Sequence, residues 1–79
     1  MITEEMVLTP KQLKVLRLAW KGYSTKETAA LMGLSFTTVK NYRHHIFMKL
    51  GVRNVEGMLR EGVERGYIEV KNREAVEWP

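Results

Sequence analysis

The chain has 79 residues, no cysteine and two histidines, and its formal net charge is +4 with a sequence pI near 9.6. That length makes one small domain, near the lower end of what folds on a single core. Without cysteine it has neither disulfides nor thiolate metal sites, and the adjacent His44 and His45 point about 100° apart on a helix, so they cannot jointly grip one metal.

Residues 1–8 read as an N-terminal arm, 9–66 as the folded domain and 67–79 as a short C-terminal tail. The opening MITEEMVL lacks the basic segment of an export signal, and no apolar run approaches the roughly 18 residues of a membrane span. A soluble, cytoplasmic protein is expected. The first helix starts in LTPKQLKVLRLAW, with Thr9 as N-cap, Pro10 at the first helical position and Gln12 at the third. That is a capping box with proline where its missing N–H costs nothing. Leu13, Val15, Leu16 and Ala19 or Trp20 give the apolar stripe, and Gly22 stops the helix. In STKETAALMG, Ser24 caps, Glu27 reaches back and Gly33 ends a helix of barely two turns, which is stable only by packing on its neighbours. SFTTVKNYRHHIFMKLG runs from the cap Ser35 to Gly51. At about 100° per residue Phe36, Val39, Ile46, Phe47 and Leu50 share one face, with Thr37, Lys40, Asn41, His44 and Met48 opposite. NVEGMLREGVERG is capped by Asn54 and stopped by Gly66, with Val55, Met58, Leu59 and Val63 as its stripe. Gly57 and Gly62 inside it each cost about 1 kcal/mol against alanine, which suggests either tolerated weakness or close approach of another backbone. Beyond it, Trp78 has no evident place.

The charge is uneven. From Thr9 to Gly66 there are eleven Lys and Arg against four Glu, a net +7, while both ends are mildly acidic. A basic middle suits a polyanion partner, and an ordinary solvated surface is the competing reading.

Ala29, Gly33 and Val39 have a spacing with mechanical meaning. Two helices that cross steeply need a small residue where they touch, a sharp bend that glycine makes without steric cost, and an apolar wedge that fixes the angle. This is a helix-turn-helix, with its second helix free to enter a major groove.

The stretch Leu8–Asn54 also resembles the LuxR/GerE-type DNA-binding domain of bacterial transcription regulators. Leu8-Thr9-Pro10, Val15-Leu16, Gly22, Ser24, Lys26-Glu27, Ala29, Ser35, Thr38-Val39-Lys40 and Lys49-Leu50-Gly51-Val52 follow its pattern, and the resemblance extends to about Ile68. Trp20 and Thr28 depart from it, standing where a small residue and isoleucine are usual. The resemblance implies four helices, the third reading DNA and the fourth commonly making a homodimer. Carried over residue by residue, the groove-facing positions are Lys40, Asn41 and His44, with Thr37 nearby. Lysine can donate to guanine, asparagine can pair both edges of adenine, and histidine can donate or accept. Phosphate contacts are expected from Ser24, Thr25 and Lys26 at the start of the second helix, and from Ser35, Thr38, Tyr42, Arg43 and Lys49, because helix N-termini, hydroxyls and cations attract anions. Arg43 is expected to run along the edge of the apolar face, and Tyr42 is equally readable as half-packed. Gly57, Arg60, Glu61 and Glu64 lie where a two-fold partner could pack, against the competing view of a solvated face.

The expected protein is all-α, a four-helix bundle-like domain containing a helix-turn-helix. It acts as a sequence-specific double-stranded DNA-binding transcription regulator, cytoplasmic and nucleoid-associated, with recognition helix 36–50 in the major groove of DNA bound by a homodimer. No cofactor or metal is expected. Nor is an enzyme, since the sequence carries no paired carboxylates, no nucleophile–histidine pattern and no phosphate-cradling glycine loop. With no room for a receiver or ligand pocket, control would lie in expression level, DNA occupancy or a regulatory protein. Two other readings stay open: a promoter-recognition module similar to region 4 of a sigma factor, working with RNA polymerase, and an adaptor that sequesters another regulator.

Overall fold

The computed structural model describes residues 7–70, so Trp78 and the tail beyond Val70 lie outside the described residues. Four helices follow in order: α1 Pro10–Trp20, α2 Thr25–Met32, α3 Phe36–Leu50 and α4 Val55–Glu64. There is no strand among the described residues, as the all-α reading requires.

Each helix begins where its cap residue stands. Thr9 and Gln12 exchange hydrogen bonds, the Thr9 N–H donating to Gln12 Oε1 at 2.9 Å and the Gln12 N–H to Thr9 Oγ1 at 3.2 Å. Ser24 and Glu27 repeat the exchange at 2.8 and 3.0 Å. Asn54 accepts the Gly57 N–H at 2.7 Å. Such caps occupy backbone donors that have no partner inside the helix, and each stabilises by about 1 kcal/mol.

The core is formed by Leu8, Val15, Leu16, Ala19, Ala29, Val39, Ile46, Leu50, Met58 and Ile68. Leu8 and Ile68, placed by sequence in the arm and the tail, are therefore parts of the packed body. Helix α3 touches all three other helices, whereas α2 and α4 do not meet. Helix α1 also touches all three others, so α1 and α3 together form the centre of the domain.

Three expectations need correction. Phe36, placed on the buried face, is 53% exposed. It begins the helix and lies about 60° from the line of Val39, Ile46 and Leu50 at 100° per residue, so its end position leaves it uncovered. Val55, assigned to the α4 stripe, is exposed as the first residue of its helix, and Met58 is the fully buried member. Finally, the glycines of α4 meet their own chain rather than another backbone. A Cβ on Gly62 would lie 2.7 Å from Ile68 Cδ1 and 3.1 Å from Leu16 Cδ2, and one on Gly57 would lie 3.1 Å from Val52 Cβ.

Longer side chains lash the elements together. Arg17 Nε donates to the Tyr67 carbonyl at 3.1 Å, holding the segment after α4 against α1. Arg65 pairs with Glu61 at 2.9 Å and reaches the Leu50 carbonyl at the end of α3 at 3.3 Å. No helix among the described residues is long and apolar enough to cross a membrane.

Candidate nucleic-acid interface

The turn between α2 and α3 is where the local sequence sets the geometry. Gly33 takes φ +69°, and its N–H donates to the Ala30 carbonyl at 3.4 Å while that of Leu34 reaches the Ala29 carbonyl at 2.9 Å. This left-handed cap ends α2 sharply. Two residues later Ser35 caps α3 by accepting the Thr38 N–H at 3.0 Å. Ala29 and Val39, the contact residue and the wedge, are both buried.

Helix α3 is consequently two-faced. Val39, Ile46 and Leu50 are buried, and Thr37, Lys40, Asn41, His44, His45 and Met48 are exposed. The exposed set presents hydroxyl, ammonium, carboxamide and imidazole groups with no acid in the helix's first turn. Neither Lys40 nor Lys26 forms an ion pair among the described residues. The His44 and His45 rings are 6.4 Å apart and tilted by 49°, each turned to solvent in its own direction. Among the described residues no cluster of three or more His, Cys, Asp or Glu could hold a metal.

The groups named for phosphate divide into two sets. Ser24 and Lys26 are exposed and Thr25 half-buried at the start of α2, where the first backbone N–H groups and the helix dipole favour an anion. Glu27 also stands in that turn, its carboxylate held by the Ser24 N–H. Ser35 Oγ donates to Thr38 Oγ1 at 2.9 Å, and Thr38 is half-buried.

The second set is turned into the protein. Arg43 is half-buried, and its Nη2 donates to the Tyr23 carbonyl at 3.0 Å, tying α3 to the α1–α2 loop. Burial lowers its pKa and leaves Nε without a hydrogen-bond acceptor among the described groups. The expected run along the apolar edge is seen, but its end is a structural tie. Lys49 Nζ donates to the Val7 carbonyl and to Gln12 Oε1, both at 2.9 Å. Its ammonium closes the α1 cap onto α3, a role no local spacing in the sequence revealed. Tyr42 is half-buried against the core.

On α4, Arg60 and Glu64 are exposed, Glu61 is engaged with Arg65, and Gly57 is half-buried against Val52 and Asn54. The small size of Gly57 is thus accounted for within the chain.

The comparisons agree with this fold. The model of the family described as bacterial regulatory proteins, luxR family, matches residues 6–60. The chain is 31% identical over 61 residues to the transcriptional regulatory protein MctR of Rhizobium johnstonii, covering 77% of this chain and 28% of that protein. It is 36% identical over 53 residues to nodulation protein W of Bradyrhizobium diazoefficiens, covering 67% and 23%. It thus spans about a quarter of the length of these curated relatives. Among solved structures, the transcription factor GerE superposes with a TM-score of 0.75 at 27% identity, covering 78% of this chain and 92% of that one.

Proposed function

Because the chain belongs to the luxR family of bacterial regulatory proteins, we propose that it is a transcription regulator that binds double-stranded DNA by laying α3 in the major groove. The observation that carries this reading is the division of α3: Val39, Ile46 and Leu50 anchor it while Thr37, Lys40, Asn41 and His44 stand clear of the core. In this reading Lys40, Asn41 and His44, with Thr37 beside them, meet base edges. Ser24, Thr25, Lys26 and Thr38 meet phosphate and fix the register. Ser35 contributes through its cap, Tyr42 packs on the core, and Arg43 and Lys49 add stability by tying α3 to the α1–α2 loop and to the start of α1. The protein performs no catalysis of its own and acts in the cytoplasm on the nucleoid. Two copies pair through the outer side of α4, where Arg60 and Glu64 are exposed, and so address two half-sites.

The test is binding of the chain to random-sequence and genomic duplexes at about 50 and 200 mM salt. Neutralising about four phosphates predicts on the order of a hundredfold loss of affinity between the two conditions. Little binding at either salt would reject DNA as the ligand and favour the adaptor reading. Sequence-specific binding only when RNA polymerase is added would favour the promoter-recognition module.

A further inference from the structure

We propose that Phe36 is a specificity-determining residue that reads the 5-methyl group of thymine in the major groove. The assignment rests on the DNA-binding reading above and adds to it a residue that hydrogen-bonding chemistry overlooks.

Phe36 is the first residue of α3, and about half of its surface is open to water. An aromatic ring at a helix start gains nothing from capping, and in so small a domain an uncovered phenyl group forfeits burial that the core could use. Its position gives it an occupant. Cα–Cβ bonds tilt toward the helix N-terminus, so a first-position side chain projects ahead of the helix. In a helix-turn-helix it is the N-terminal part of the second helix that meets base edges. Phe36 precedes Thr37 and lies about one turn before Lys40, about 40° from it around the helix, so it stands at the edge between the buried face and the flank proposed to face the groove. A phenyl ring cannot exchange hydrogen bonds with a base edge, and the apolar group that the major groove offers is the thymine methyl.

The other large exposed apolar residues of this region differ in placement. Met48 is 66% exposed but lies twelve residues along α3, about 18 Å from Phe36, toward the end that leaves the groove. Leu31 is 57% exposed but belongs to α2, ahead of the turn.

The test starts from duplexes that the full chain recovers from a random-sequence pool. Each thymine of the best duplex is replaced in turn by deoxyuridine, which removes the methyl group and nothing else. The wild-type chain is expected to lose about three- to fivefold in affinity at one thymine per half-site, the worth of burying one methyl group. Phe36→Ala should bind with no further loss on that replacement and keep its salt dependence, and Leu31→Ala should behave as wild type. Circular dichroism checks folding, and Phe36→Gln replaces the alanine variant if that one unfolds. Equal uracil responses in wild type and variant, or a recovered site in which no thymine methyl matters, would overturn the assignment while leaving DNA binding intact. Recovery of no duplex at all would overturn the DNA-binding reading together with this one.

Discussion

Lys40 and Arg43 are cations three residues apart on one helix, and their surroundings give them different work. Lys40 is exposed and forms no ion pair among the described residues, so its ammonium is available to a base or phosphate. Arg43 is half-buried, with its guanidinium on the Tyr23 carbonyl. Lys40→Ala should therefore relax discrimination at one base pair by about 1–3 kcal/mol and leave the thermal midpoint nearly unchanged. Arg43→Ala should lose about 1–2 kcal/mol of folding stability through its charged hydrogen bond, with the base preference of the folded fraction retained. Binding to a panel of single-base variants, read beside thermal melts, checks both. The same distinction separates Lys26, exposed at the start of α2, from Lys49, whose Nζ is held by Val7 and Gln12. Side-chain identity and helical angle show that a residue is cationic and near an edge. They do not show whether a carbonyl from a distant segment will reach it, and the contacts of Arg43 and Lys49 span 20 and 42 residues of sequence.

At the scale of elements, the four helices were legible because their boundaries are chemical and local. Thr9, Ser24, Ser35 and Asn54 each accept a hydrogen bond from the backbone three residues ahead, and a spacing of three is visible in any sequence. The angle between α2 and α3 depends on Gly33, whose φ of +69° is strained for any residue with a Cβ although an added Cβ would meet nothing within 4 Å. Gly33→Ala should therefore cost about 1–2 kcal/mol through backbone strain alone. For a domain of this size that lowers the thermal midpoint by about 4–8 °C per kcal/mol. An unchanged midpoint would mean that the turn tolerates another conformation. Less legible was what happens at helix ends, where periodicity still assigns a face but neighbours no longer surround it. Phe36 and Val55 are both first residues, and both proved exposed. Gly62 was readable either as tolerated weakness or as close approach of another backbone, because a sequence stripe does not show the returning segment. Ile68 fills that space, packed against the position of Gly62.

For the molecule as a whole, a small apolar centre holds α3 by three neighbours and leaves one flank uncovered. In the proposed function, the excess of eleven Lys and Arg over four Glu between Thr9 and Gly66 would draw the domain toward a polyanion, and the hydrogen-bonding groups on that flank would supply discrimination. Composition displayed the first property. The second was read from the periodicity of α3, which sets Val39, Ile46 and Leu50 opposite that flank, and from the Ala29–Gly33–Val39 unit that turns the chain from α2 into α3. The most direct measurement of this division is an amide NMR titration of the full-length, isotope-labelled chain with a duplex it selects. The largest shifts should fall on Thr37, Lys40, Asn41 and His44 and at the start of α2. Shifts concentrated on α4 with α3 unmoved, or none on adding duplex, would contradict the assignment of α3 as the surface that reads DNA.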